Sequence, residues 1–144
     1  IWLLAPTAES WEGFQRRVEG ITERMLEGVE HEFLIEGEVP QGRPEIAWAR
    51  EWVLFFKEAL SNARRHSGAS RIDVKLDWKP RELQLSVKDN GCGFDPDDPA
   101  LSPGLGMKTY RRRASALRGK LAISPNPEEG VTVQLRVPLP GKKS

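Results

Sequence analysis

Apolar positions in the first part of the chain recur at helical spacing. Trp11, Phe14, Val18, Ile21 and Met25 repeat every three or four residues, which predicts an amphipathic helix from Trp11 to Leu26 with Ser10 as its N-cap. His31 to Glu36 alternates weakly, with Phe33 and Ile35 on one side, and reads as an edge strand. After a loop over Pro40–Pro44, the stretch Glu45–His66 carries a broad apolar stripe of Trp48, Trp52, Phe55, Phe56, Ala59, Leu60 and Ala63. Ser67-Gly68-Ala69 closes that helix. The period then drops to two. Ile72, Val74, Leu76 and Trp78 share one face of a strand, Leu83, Leu85 and Val87 one face of the next, and Lys79–Glu82 forms the hairpin turn. Asp89 to Pro103 is rich in Gly, Asp and Pro and reads as a long functional loop or lid. A helix over about Leu105–Leu117 follows, with Gly119 at the C′ position. A last hairpin pairs Lys120–Ser124 with Val131–Val137 through a turn over Pro125–Gly130, and Pro138 onward is a tail.

The order is helix, strand, helix, strand, strand, helix, strand, strand. Strands joined by short turns imply a mixed, mainly antiparallel sheet with helices packed on one face: an α+β, two-layer sandwich. A length of 144 residues suits one core and one domain. Composition narrows the function classes. Hydrophobic residues make up 38% and charged residues 30%, neither a disordered nor a membranous balance. The net charge of +1 provides no global basic field, so nucleic acid is not expected as a partner. No apolar run approaches a bilayer span, and no membrane contact is expected. The single cysteine, Cys92, excludes an internal disulfide and any multi-cysteine zinc site, which fits a reducing compartment. The chain opens on Ile1-Trp2-Leu3-Leu4 without Met and reads as a piece of something longer.

Three constellations carry chemistry. On the long helix Glu58, Asn62 and His66 stand four residues apart and line one polar stripe, expected opposite the aromatic one. A carboxylate can orient or deprotonate a water, and an Asn oxygen is a hard ligand suited to magnesium, which takes few protein ligands and keeps waters or phosphates. Taken alone, the stripe also suits a solvated helix face. Next, Val87-Lys88-Asp89-Asn90-Gly91-Cys92-Gly93-Phe94 delivers an Asp from an apolar strand, with two glycines behind it. A buried carboxylate there can accept a hydrogen bond from an exocyclic amine such as that of adenine, and the glycines let the backbone approach a flat base. The third is Ser102-Pro103-Gly104-Leu105-Gly106-Met107 before a helix, where free amides and the helix dipole favour phosphate. No Rossmann or Walker spacing occurs.

Together and in this order, the pieces resemble a known family. Glu58-Ala59-Leu60-Ser61-Asn62-Ala63-Arg64-Arg65-His66 looks like the N box of the GHKL ATPases, Asp89-Asn90-Gly91-Cys92-Gly93-Phe94 the G1 box, and Gly104-Leu105-Gly106-Met107 the G2 box. His66, the Arg-rich last helix and Ile1–Pro6 resemble the NarL/DesK-like subgroup of sensor histidine kinases. The resemblance covers almost the whole chain and implies a Bergerat-type fold that binds ATP with Mg2+. It divides the chain into a remnant of the link from missing dimerisation helices (1–8), the ATP-binding catalytic domain (9–140) and a tail (141–144).

By that resemblance, Glu58 is the polarising, base-like catalytic residue, Asn62 holds the metal, and Arg65 and His66 lie near the phosphates. Asp89 binds the adenine amine against Gly91, Gly93 and Phe94, and Asp95–Pro103 is a lid hinged by Gly104 and Gly106, flanked by Leu105 and Met107. The implied partners are a phosphoacceptor histidine domain of the same parent and a response regulator. The isolated domain is expected to be monomeric and cytoplasmic, its parent often membrane-anchored. Two other functions fit the same boxes: a nucleotide-binding docking module without catalysis, and an anti-sigma-factor-type serine kinase.

The chain departs from the family pattern at Ser102 and Arg118, where Gly is common, and at Gly130-Val131-Thr132, where the family has Thr directly after Gly. That Thr helps a water reach adenine. Here either Thr132 serves through a shifted register or the contact is lost. Arg111, Arg112, Arg113 and Arg118 read as a solvated helix face, His31 as structural, and Trp48 and Trp52 as core.

Overall fold

The computed structural model describes residues 9–66, 71–90, 104–126 and 130–139, with side chains for all of these except 65, 66, 104–108, 125 and 126. The elements are α1 (Trp11–Met25), β1 (Glu30–Gly37), α2 (Ile46–His66), β2 (Arg71–Trp78), β3 (Glu82–Asp89), α3 (Gly104–Ala116), β4 (Lys120–Asn126) and β5 (Gly130–Pro138). The strands form a single sheet in the order β1-β2-β3-β5-β4. β1 runs parallel to β2, and the other pairings are antiparallel. A parallel pair needs a crossover, and α2 supplies it. The mixed, mainly antiparallel sheet expected from the pattern is the one observed.

Alternation decides which sheet face is buried. Val74 lies opposite Val87 and Leu76 opposite Leu85, and these continue onto Val133 and Leu135 of β5, so apolar rows run across the sheet. All six are buried under the helices. The other face carries Lys75, Asp77, Gln84, Ser86, Gln134 and Arg136. This makes two layers, with α2 central and in contact with α1, α3 and β3.

Side chains set the docking of each helix. Ser10 caps α1, its Oγ accepting from the Gly13 amide at 3.0 Å. The apolar face of α1 enters an aromatic cluster in which Trp11 meets Trp48 edge-on at 5.0 Å and Phe14 meets Trp52 at 5.2 Å. The indole N–H of Trp78 donates to Gln15 Oε1 at 2.6 Å, fastening the end of β2 to α1. Arg64 reaches back from α2 and donates to the carbonyls of Met25 (2.6 Å) and Glu27 (2.9 Å), groups left open where α1 ends. Trp52 is fully buried and Trp48 packs partly buried against the core. His31 bonds to the neighbouring backbone, its Nδ1 donating to the Val29 carbonyl at 2.7 Å.

At α3 the structure revises two expectations. Arg113 is not part of a solvated face: it is half-buried and pairs with Glu51 of α2 at 3.4 Å. The C′ residue is Arg118, not Gly119. Arg118 takes φ +57, its amide bonds to the Ser115 carbonyl at 2.9 Å, and the Gly119 amide bonds to the Ala114 carbonyl at 2.8 Å. This is the paired hydrogen-bond pattern of a Schellman ending. Gly119 is instead needed for space, since a Cβ there would lie 3.0 Å from Val137 Cγ2 and 3.1 Å from the Arg136 carbonyl oxygen.

Candidate nucleotide site

Period-two alternation in β3 turns Leu83, Leu85 and Val87 inward, and Asp89, two residues further, turns the same way. Its carboxylate is therefore carried into the buried layer and is only 4% exposed. A charge so placed needs partners. The Val131 amide donates to Asp89 Oδ1 at 3.4 Å. Asn90 pins the strand end: its amide donates to the Arg71 carbonyl at 3.2 Å, and its Oδ1 accepts from the Arg71 amide at 2.9 Å.

Gly130 is shaped by Asp89. It has φ +93, and a Cβ there would fall 1.9 Å from the Asp89 carbonyl oxygen and 2.9 Å from Oδ1. Both the left-handed backbone and the close approach require glycine.

Asn62 of α2 faces Asp89 across a small cavity of about 20 Å³, lined by Ala59, Asn62, Ala63, Val87, Asp89, Tyr110, Val131 and Val133. Ala59 and Ala63 belong to the apolar stripe, so Asn62 borders that stripe instead of opposing it; neighbouring helix positions differ by only about 100°. Glu58 lies one turn back and is half-buried. Asn62 and Asp89, 27 positions apart in the chain, are thus brought together by α2 packing on β3.

Sequence reasoning did not single out Tyr110. It is 2% exposed, packs as a tilted ring pair against Phe55 of α2 at 5.1 Å, and lines the cavity. Burial pushes its phenol well above the ordinary range; the Asn62 amide partly offsets this, and the Glu58 and Asp89 carboxylates add to it. The Asn62 amide acts on the hydroxyl without reaching hydrogen-bond geometry, and the hydroxyl has no hydrogen-bond partner among the described residues. A tyrosine at an otherwise apolar position of α3, beside Ala114 and Leu117, was the available signal.

Thr132 is not brought to this cavity. β5 pairs Thr132 with Lys88 and Ser124 and turns Val131 and Val133 inward, so Thr132 sits on the opposite sheet face. No register shift presents its hydroxyl. Gly104, Leu105, Gly106 and Met107 form the first turn of α3, which begins one residue before the expected start. Gly91, Gly93, Phe94 and the segment 95–103 lie outside the described residues, as do the side chains of Arg65 and His66.

The donor set suits magnesium more than a metal caged by protein. Among the described residues no cluster of three or more His, Cys, Asp or Glu is arranged for a metal, whereas Asn62 offers one hard oxygen beside the cleft. The inward carboxylate of Asp89, lining the cavity, suits a ligand presenting an amine.

Residues 50–141 match the model of the histidine kinase-, DNA gyrase B- and HSP90-like ATPase family. The chain belongs to this family. The ATPase match starts inside α2, so it takes in Glu58, Asn62, Asp89 and Tyr110 but not α1 or β1. Sequence relatives are the signal transduction histidine-protein kinase/phosphatase DegS of Brevibacillus brevis, 32% identical over 58% of this chain and 21% of that protein, and the sensor protein VraS of Staphylococcus aureus, 35% identical over 58% of this chain and 24% of that protein. The matched stretch spans less than a quarter of either relative's length. The resemblance to sensor histidine kinases of the NarL/DesK-like subgroup holds. The fold of the ATP-binding domain of PrrB from Mycobacterium tuberculosis superposes with a TM-score of 0.62 at 19% identity, covering 89% of this chain and 93% of that one. That likeness extends the shared fold beyond the family-model match to most of the described chain.

Proposed function

We propose that this ATPase-family chain is the ATP-binding catalytic domain of a sensor histidine kinase, using Mg–ATP to phosphorylate a histidine on a dimerisation domain of its parent. The observation that carries the reading is the inward Asp89 carboxylate, braced by Val131 and Gly130 and sharing one cavity with Asn62. In this reading Asp89 accepts a hydrogen bond from the adenine amine, a contact that guanine, with a carbonyl in that place, cannot make. Asn62 holds the magnesium, and Glu58 polarises the reacting end. Bound magnesium neutralises charge on the phosphate oxygens.

In the transfer, a histidine nitrogen bonds to the γ-phosphorus as the bond from that phosphorus to the β–γ bridging oxygen breaks, leaving ADP. The domain contributes position and charge to this step. A response regulator then takes the phosphoryl group. ATP as ligand places the domain on the cytoplasmic side, with any membrane anchor carried by the rest of the parent. Among the described residues no helix is long and apolar enough to cross a membrane.

Calorimetric titration tests the reading. The wild-type chain is expected to bind ATP, more tightly with magnesium, and to prefer it to GTP. Asp89→Asn, which puts an amide where a pure acceptor is needed, is expected to weaken ATP binding at least tenfold. Failure of the wild-type chain to bind adenine nucleotides would sink the proposal. Adding the parent's dimerisation domain in trans and assaying acid-labile phosphate separates a kinase from a docking module, which binds without transfer.

A further inference from the structure

The hydroxyl of Tyr110 has no packing role. Phenylalanine would fill the same space and pack equally against the Phe55 ring, 5.1 Å away. Yet this position holds the single tyrosine of the chain, 2% exposed, with its oxygen buried and without a hydrogen-bond partner among the described residues. Such a group costs about 1–3 kcal/mol in a folded protein. A buried polar atom left open calls for a use, and the cavity beside Tyr110 limits the candidates. Of the residues lining it, Ala59, Ala63, Val87, Val131 and Val133 have no polar side-chain atom. Asn62 and Asp89 remain.

Asp89 already accepts from the Val131 amide and faces the proposed base. Asn62 presents a different problem. A carboxamide has two ends of similar shape, an oxygen acceptor and an NH2 donor. Only the oxygen can bind a cation, and a flip of the amide turns NH2 toward it. A single-ligand magnesium site therefore needs a second group to fix that rotation, as outer partners do for metal ligands generally.

We propose that Tyr110 is a positioning residue for the metal end of the site: its hydroxyl oxygen accepts from the Asn62 amide nitrogen in the loaded protein and so turns the Asn62 oxygen toward the cation. The inference rests on the Mg–ATP reading above. α3 carries Tyr110 and also begins with Gly104 and Gly106, so the same helix that supplies the glycine-rich turn sets the orientation of the ligand on α2.

Tyr110→Phe removes one oxygen and keeps the packing. ATP affinity is measured by calorimetry in excess chelator and again at saturating magnesium, alongside the melting temperature of the free protein. The expected result is an affinity without magnesium within about twofold of wild type, a magnesium-dependent gain reduced about tenfold, and a melting temperature no lower than wild type. A gain equal to that of wild type would overturn the inference, as would equal weakening with and without magnesium, which marks a purely structural role. A second measurement needs no substitution. 3-Fluorotyrosine labels Tyr110 alone, and its 19F resonance should move further on adding Mg–ATP than on adding ATP in chelator; equal shifts count against the proposal. A wild-type chain that binds no ATP defeats the functional reading itself, whereas wild-type binding with an unaltered Tyr110→Phe gain defeats only this inference.

Discussion

Arg118 and Gly130 share a left-handed backbone, and the two positions show how differently that conformation can be used. Arg118 ends α3 at φ +57, where a side chain costs about 1–2 kcal/mol relative to glycine. Among the described residues no hydrogen bond or ion pair of its side chain offsets that strain. Arg118→Gly is expected to stabilise the fold by about 1 kcal/mol, read as a rise of about 3–5 °C in the thermal midpoint. An unchanged midpoint would show that the strain is relieved elsewhere. At Gly130 the glycine is obligatory, because a Cβ would lie 1.9 Å from the Asp89 carbonyl oxygen. Gly130→Ala is expected to cost more than about 2 kcal/mol and to displace Asp89, so nucleotide binding should fall even under conditions where the variant remains folded. Both residues stood out in the sequence as departures from, or anchors of, a family pattern. Their backbone geometry did not, since handedness at a single residue leaves no periodic trace.

Among the elements, α3 packs on α2 and β4. Its main anchors on α2 are the Phe55–Tyr110 ring pair at 5.1 Å and the Glu51–Arg113 ion pair at 3.4 Å. Glu51 and Arg113 are 38% and 28% exposed, so the pair contributes less than about 1 kcal/mol. The ring pair dominates. Phe55→Ala is expected to destabilise the domain by about 3 kcal/mol or more, measured by denaturant unfolding, with amides of α3 losing hydrogen-exchange protection before those of β2 and β3. Uniform loss across all three elements would mean that α3 is part of one cooperative unit. The helices and strands themselves were legible from period alone, because a helix of 21 residues or a strand of 8 repeats its pattern several times. Their ends were less so. The start of α3 and the cap at Arg118 depend on one or two hydrogen bonds that apolar spacing does not encode.

At the scale of the whole molecule, the buried phenol makes alkaline stability a direct readout of the core. Tyr110 is pushed up in the folded state, chiefly by burial, and returns to the ordinary tyrosine range near about pH 10 on unfolding. The folded form therefore holds the proton more tightly than the unfolded one. The stability this contributes is complete below about pH 10 and declines as the pH rises beyond it. Because the chain has one tyrosine, tyrosinate absorbance follows this group alone. It should appear only together with loss of the circular dichroism of the fold, and Tyr110→Phe should move alkaline unfolding to higher pH. Phenolate forming near pH 10 with the fold intact would show that the site admits solvent. The same burial closes the core beneath the nucleotide cavity, joining stability and binding in one layer.

What the amino-acid sequence determined by itself was local or short-ranged: the amphipathic helices, the alternating strands, and the order of Glu58, Asn62, Asp89, Gly104 and Gly106 that points to the ATPase family. These depend on spacing along the chain, which the sequence states directly. Only the tertiary structure decided the rest. It paired β1 parallel with β2, set Val131 and not Thr132 beside Asp89, and brought Tyr110 of α3 and Asn62 of α2 to one cavity. The Val131–Asp89 hydrogen bond joins residues 42 apart, and a contact of that separation is set by sheet register and helix docking. A one-residue change of register would exchange the inward and outward faces of β5 without altering its sequence pattern. Neighbouring strands and the helix layer above them fix that choice, because a slip of one residue would turn Val131, Val133, Leu135 and Val137 out of the core in which they are buried.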